Sequence, residues 1–212
     1  MRKMWCEAEP DLWPIRPHPL PGEVFTGWLA RVAQGHGIEP RFFFDHLRGR
    51  FRIPAERNLD ADPSYELLAE VSRRTAVCYE RLVGMTLRWH TDPWYAREVR
   101  YDPGGGFGFC SLCWAADPVP HVRRAWRLPW MACREHRIPL QWDCPRCRRE
   151  RSIETLGPLP PVSQCECDFD LRCAAPSIWS GSRTSEEIAE YLDRWQHEFE
   201  RAEARCWMGR PQ

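Results

Sequence analysis

Phe109-Cys110-Ser111-Leu112-Cys113 opens a set of close ligand pairs. It continues through Cys133-Arg134-Glu135-His136, Cys144-Pro145-Arg146-Cys147 and Cys165-Glu166-Cys167. A two-residue gap lets one tight turn present both side chains to a single ion, and the turn's N–H groups can donate to the sulfur atoms. Zinc takes four such ligands in a tetrahedron, at about 2.3 Å for sulfur and about 2.0–2.1 Å for nitrogen. Four pairs supply eight ligands, enough for two structural Zn2+ ions. Sequential pairing gives one site from Cys110, Cys113, Cys133 and His136, and a second from Cys144, Cys147, Cys165 and Cys167. A cross-braced arrangement would interleave the pairs; sequential pairing is expected because each loop then closes on itself. Cys165-x-Cys167 is the unusual pair. Residues two apart on a strand share a face but stand apart along it. A turn must therefore bring both thiolates to one ion, and Cys173 is an alternative ligand.

A catalytic zinc keeps a coordination position open for water. Here each site has its full set of protein ligands, and the sequence has no HExxH or HxE motif. The expectation is therefore two structural zinc sites, no catalytic residue and no enzyme. The eleven cysteines are an odd number, and most fall in close pairs. Met1 to Pro14 contains no apolar run of the signal-peptide kind. Both features argue for a reducing compartment, most simply the cytoplasm, over a secreted disulfide framework. No stretch approaches the roughly eighteen apolar residues that span a bilayer, so no membrane association is expected.

The formal net charge is zero, so nucleic-acid contact must come from a local patch. Lys3 is the only lysine, and arginine supplies the other basic residues. From His121 to Arg151 nine arginines face only Glu135, Asp143 and Glu150. Two readings stay open. Arg146, Arg148, Arg149 and Arg151 offset the thiolates of the metal sites, or the block is a surface for nucleic acid or an acidic partner.

Upstream, Pro10, Pro14, Pro17, Pro19 and Pro21 mark an extended lead-in. Val24, Phe25, Trp28, Leu29 and Val32 then fall at helical spacing, broken by Gly35 and Gly37. Ile38 and Pro40 lead into a second short helix carrying Phe43, Phe44 and Leu47. The pattern returns 39 residues later: Leu68, Ala69, Val71, Val77, Leu82 and Val83 match Leu29, Ala30, Val32, Ile38, Phe43 and Phe44. A small residue in the first helix, an apolar turn residue and an apolar stripe on the second helix are what a helix-turn-helix needs. Any two-helix hairpin shows the same features. Gly104, Gly105, Gly106 and Gly108 read as a flexible joint before the cysteine pairs. Thr184 and Glu187 form a capping box. Ile188, Tyr191, Leu192, Trp195 and Phe199 follow as one stripe of a C-terminal helix. The expected fold is mainly α with small β. Residues 1–103 form helix-turn-helix-like units, 104–176 two zinc-ribbon-like modules, and 177–212 a helical segment.

Several of these stretches together resemble the TniQ family of transposon target-selection proteins. They are Pro14-Ile15-Arg16-Pro17-His18-Pro19-Leu20-Pro21-Gly22-Glu23, Trp28-Leu29-Ala30-Arg31, Phe109 to Asp117, Trp126 to Trp130, Cys133 to His136, Leu140, Cys144 to Cys147, and Cys165-Glu166-Cys167 with Asp170-Leu171. The resemblance implies a non-enzymatic adaptor that marks an insertion site and recruits an AAA+ transposition ATPase. Some members are directed by a CRISPR effector with its guide RNA, and others bind target DNA themselves. Asp168 stands where the family usually has glycine. The chain also lacks the long C-terminal extension of larger members, so its expected DNA binding is weak and of low specificity. A DNA-binding transcriptional regulator with structural zinc sites is the alternative. A zinc enzyme is a third reading.

Overall fold

The computed structural model describes residues 11–55, 57–87, 106–127, 132–158 and 161–178, with positions 187, 190, 193, 194 and 197. The protein is mainly helical with little strand. Its α-helices are α1 (Phe25–Gly35), α2 (Pro40–Phe51), α3 (Tyr65–Thr75), α4 (Tyr79–Gly84) and α5 (Ser111–Ala116). Short 3-10 turns lie at Arg124–Arg127 and Leu171–Cys173.

The first pair of helices follows the expected pattern. Trp28, Leu29 and Val32 are fully buried on one face of α1. The helix ends where Gly37 adopts a φ of +70°, and the Ile38 N–H returns to the Ala33 carbonyl at 3.0 Å. Pro40 then starts α2, where a missing N–H costs nothing. The second pair is less equal to the first than the repeat suggests. Ser64 caps α3 by accepting from the Leu67 N–H. However, α4 has six residues against twelve in α2.

The extended lead-in is pinned to its own helices. Trp28 Nε1 donates to the Pro17 carbonyl at 2.7 Å, and the Trp13 N–H donates to the Arg74 carbonyl at 2.8 Å. Arg31 forms two bonds with the buried Glu23 carboxylate, at 2.6 and 2.8 Å, and a third with the His18 carbonyl. Proline removes donors from this segment, so its carbonyls are served by side chains of α1.

Among the described residues the β structure consists of isolated antiparallel bridges: Glu23 with Arg123, Gly106 with Ser152, Phe109 with Gln141, Ala132 with Pro139, Asp143 with Glu150 and Gln164 with Asp170. Of the glycines expected to form a joint, Gly106 and Gly108 are buried inside the fold. A Cβ on Gly108 would lie 2.8 Å from Leu140 Cβ, so close packing explains that glycine. Gly104 and Gly105 lie outside the described residues.

One core runs through the helices and the cysteine-rich region. Trp114 is its centre, stacked on Phe109 at 5.0 Å and met edge-on by Phe107 and Trp126. The Val24 N–H donates to the Val122 carbonyl at 2.9 Å, and Gln34 reaches the Gly157 carbonyl at 2.8 Å. In the C-terminal segment, Glu187, Glu190, Asp193, Arg194 and His197 are helical and exposed, which is the expected charged face. The apolar stripe from Ile188 to Phe199 lies outside the described residues.

Candidate metal centre

Each ligand pair sits on a short turn that the local sequence closes. Cys110 precedes the first residue of α5 and Cys113 lies within it, so a helix start presents both sulfurs. Cys133 begins a knuckle in which its N–H donates to the Ile138 carbonyl and its carbonyl accepts from the Arg137 N–H. Cys144 repeats that geometry with Arg149 and Arg148. The fourth residue after each leading cysteine, Arg137 or Arg148, takes a φ of 54° or 60°. The Cys165 turn is one residue shorter. Its N–H donates to the Phe169 carbonyl, its carbonyl accepts from the Asp168 N–H, and Asp168 takes a φ of 62°. Asp168 occupies the left-handed conformation that glycine adopts freely, and aspartate is among the residues that tolerate it best. The substitution is therefore compatible with the turn that Cys165-x-Cys167 requires.

The structure brings together Cys110, Cys113, Cys133 and His136 in one group, and Cys144, Cys147, Cys165 and Cys167 in another. Within each group the ligand atoms lie within 4.8 Å of one another. His136 presents Nδ1, at 3.3–3.5 Å from the sulfurs of Cys113, Cys133 and Cys110. Cys113 and Cys133 sulfurs are 3.4 Å apart, Cys144 and Cys167 3.7 Å, and Cys147 and Cys165 3.6 Å. A tetrahedron with metal–sulfur bonds of about 2.3 Å has edges of about 3.8 Å. The observed separations are close to that figure and far longer than a disulfide bond of about 2.05 Å. Both groups thus have the size and donor set of a four-coordinate metal site, arranged sequentially rather than cross-braced. Cys173 is exposed and belongs to neither group.

The electrostatics favour a cation. Hydrogen bonds from the Cys113 and Cys133 thiols hold Cys110 down to about 3. The same crowding pushes Cys113 far above the ordinary thiol range. In the second group, the Arg149 N–H is the main cause holding Cys147 down to about 7, while burial pushes Cys165 up to about 12. Neighbouring thiolates this close repel one another; a divalent ion between them removes the conflict.

The arginine block divides. Arg151 is buried, with one guanidinium nitrogen 3.6 Å from Cys165 Sγ and another on the Gln164 carbonyl. Arg146 bonds the Cys167 carbonyl at 3.2 Å, and Arg149 pairs with Glu166 at 2.8 Å. Arg123 pairs with Asp117 and with Glu135, whose other oxygen lies 3.4 Å from Cys113 Sγ. Three thiolates on a Zn2+ leave one negative charge, and four leave two. Arg151, against Cys165 Sγ, is placed to offset that charge, whereas Arg123 is itself held between two carboxylates.

Some residues at the centre of the fold carry no local sequence signal. Asp60 accepts from the Thr26 N–H at 2.8 Å, the Thr26 hydroxyl at 2.6 Å and Arg127 Nε at 3.0 Å. It thus caps α1 from a distant loop while binding the cysteine-rich region. Two arginines of the helix pairs are likewise diverted: Arg48 turns inward to Glu154, and Arg81 reaches the Leu20 carbonyl.

Helices ahead of two groups of paired cysteine knuckles make a mainly helical protein whose cysteine groups could form zinc-ribbon-like modules. The TniQ family model matches residues 14–140, and the chain belongs to that family. Membership associates it with target selection in transposition, a role for which family members act as non-catalytic adaptors. No curated protein matches the chain significantly. The matched span holds all four residues of the first group and none of the second. No helix among the described residues is long and apolar enough to cross a membrane.

Proposed function

We propose that this protein is a non-enzymatic adaptor that marks a transposition target and recruits an AAA+ transposition ATPase, with one structural zinc in each four-ligand group. The observation that carries this reading is the family match across residues 14–140. The two groups support it: each supplies four protein ligands, which leaves no coordination position for substrate.

Target DNA contact in this reading is weak and set by phosphates. Arg48 is engaged with Glu154, and six-residue α4 spans only about 9 Å, too short to follow a major groove. Two surfaces are candidates for the ATPase: the segment from Trp13 to Arg31 and the arginine-rich block from Arg123 to Arg151. Arg31 belongs to the clamp on Glu23 and His18, so it is a fold residue. Pro14, Ile15, Arg16 and His18 are exposed along the lead-in and remain the candidate contacts.

The test mixes the protein with its cognate ATPase, DNA and ATP and measures co-assembly. Association that requires nucleotide is expected, weakened by Arg16→Ala. Absence of association in every nucleotide state overturns the adaptor reading. Association that Arg16→Ala leaves unchanged moves the contact away from the lead-in.

A further inference from the structure

The two ligand groups share one scaffold. Residues 106–109 lead directly into Cys110, and they lie against the hairpin whose tip carries Cys144 and Cys147. The Phe109 N–H donates to the Gln141 carbonyl at 2.8 Å, and the Gln141 N–H returns to the Phe109 carbonyl at 2.9 Å. The Phe107 N–H donates to the Arg151 carbonyl at 3.1 Å, and Gly106 bridges Ser152. Gln141 and Arg151 belong to the stem of that hairpin. The Arg151 N–H donates to the Trp142 carbonyl at 2.9 Å, and the Cys144 N–H donates to the Arg149 carbonyl at 2.9 Å. The stem below one group is thus the surface on which the first ligand of the other is positioned.

Two further contacts join the groups. Helix α5 carries Cys113 and packs against the 3-10 turn Leu171–Cys173. That turn follows directly on the Gln164–Asp170 bridge that closes the Cys165 knuckle, and Leu171 is fully buried. Arg151 supplies the second contact. Its guanidinium lies 3.6 Å from Cys165 Sγ and 6.0 Å from the centre of the Phe107 ring. Phe107 in turn meets Trp114, the residue after Cys113, edge-on.

We infer that the two groups bind metal cooperatively, so that filling either one raises the affinity of the other, with Arg151 as one of the links; this rests on the two-zinc reading above. Among the described residues the β bridges are isolated and the helix and turns at the ligands are short, so neither group has a sheet or long helix of its own. Closing one metal loop orders the shared stem and turn. The second ion then binds a chain whose ordering entropy is already largely spent.

Chelator competition on the full chain measures the affinity of each group. Cobalt(II) in place of zinc tells the groups apart, because a site with three thiolates and an imidazole absorbs differently from a site with four thiolates. With Cys144→Ser and Cys147→Ser together, the first group is expected to hold metal about tenfold more weakly than in the wild type. Cys110→Ser with Cys113→Ser should weaken the second group by the same factor, since coupling is reciprocal. Local damage from a substitution has no reason to be equal in both directions, so this equality separates coupling from misfolding. Arg151→Gln keeps all eight ligands and is expected to cause a smaller loss at the first group, whose ligands its side chain does not touch. An unchanged first group in the first double variant, or losses of unequal size in the two, overturns the proposal. A first group spared by Arg151→Gln overturns the Arg151 link. Wild-type protein that binds no metal overturns the two-zinc reading itself.

Discussion

Arg127 Nε lies 3.0 Å from the Asp60 carboxylate, and the two side chains are 2% and 0% exposed. This pair joins the loop after α2 to the turn after α5, and Asp60 in turn caps the first turn of α1 through Thr26. It makes the helical and cysteine-rich regions depend on each other.

Removing one member leaves the other charge buried without its partner, which costs about 3–5 kcal/mol. Arg127→Met is therefore expected to lower the urea midpoint sharply, with little change in zinc content. Arg127→Met combined with Asp60→Asn should recover part of the loss. Chemical denaturation of the four proteins of the double-mutant cycle checks both statements.

Elemental analysis is expected to find two zinc ions per chain. Cys110→Ser and Cys144→Ser should each lose one, because metal binding contributes on the order of 10 kcal/mol of folding energy per site. Either variant is expected to loosen α1 to α4 as well, since Cys110, Cys113, Cys144 and Cys165 all lie in the same core as Trp114 and Val122. Far-ultraviolet circular dichroism before and after chelation reports the difference. A single zinc in the wild-type protein would refute the two-site reading.

Asp168 at a φ of 62° predicts an unusual tolerance. Asp168→Gly is expected to leave stability unchanged or raise it by about 0.5–1 kcal/mol. Asp168→Val, whose branched Cβ is strained there, should loosen the second metal site. Competition with a zinc chelator ranks the three proteins.

Glu70 gives a pH signature. Hydrogen bonding from Arg73 is the main cause holding it down to about 2 from an ordinary 4.5, with Arg74 and Arg50 adding to it. A depressed carboxylate stabilises the fold above its unfolded value and loses that contribution as pH falls through the folded one. Wild type should therefore exceed Glu70→Gln by on the order of 1 kcal/mol near neutral pH. The gap should close between about pH 4.5 and about pH 2. Comparing the two proteins at each pH cancels the separate loss of metal in acid.

The ligand pairs were legible in the sequence because a metal knuckle is a local object. Its spacing is set by one turn of four or five residues, so Cys133 to His136 and Cys144 to Cys147 display it without reference to the rest of the chain. The first helix pair was legible for a similar reason: Gly37 and Pro40 act within a few residues of where they stand. What each arginine does was not legible. Arg31, Arg48, Arg123, Arg127 and Arg151 look alike in sequence, and only the fold assigns them to Glu23, Glu154, Asp117, Asp60 and Cys165 Sγ. Thr26, Asp60 and Arg127 are separated by 34 and 67 positions. No periodicity links residues so far apart. Their meeting is decided by the burial of Trp114, Val122 and Val24 in one core, and the charged side chains carried into that core then find the partners within reach.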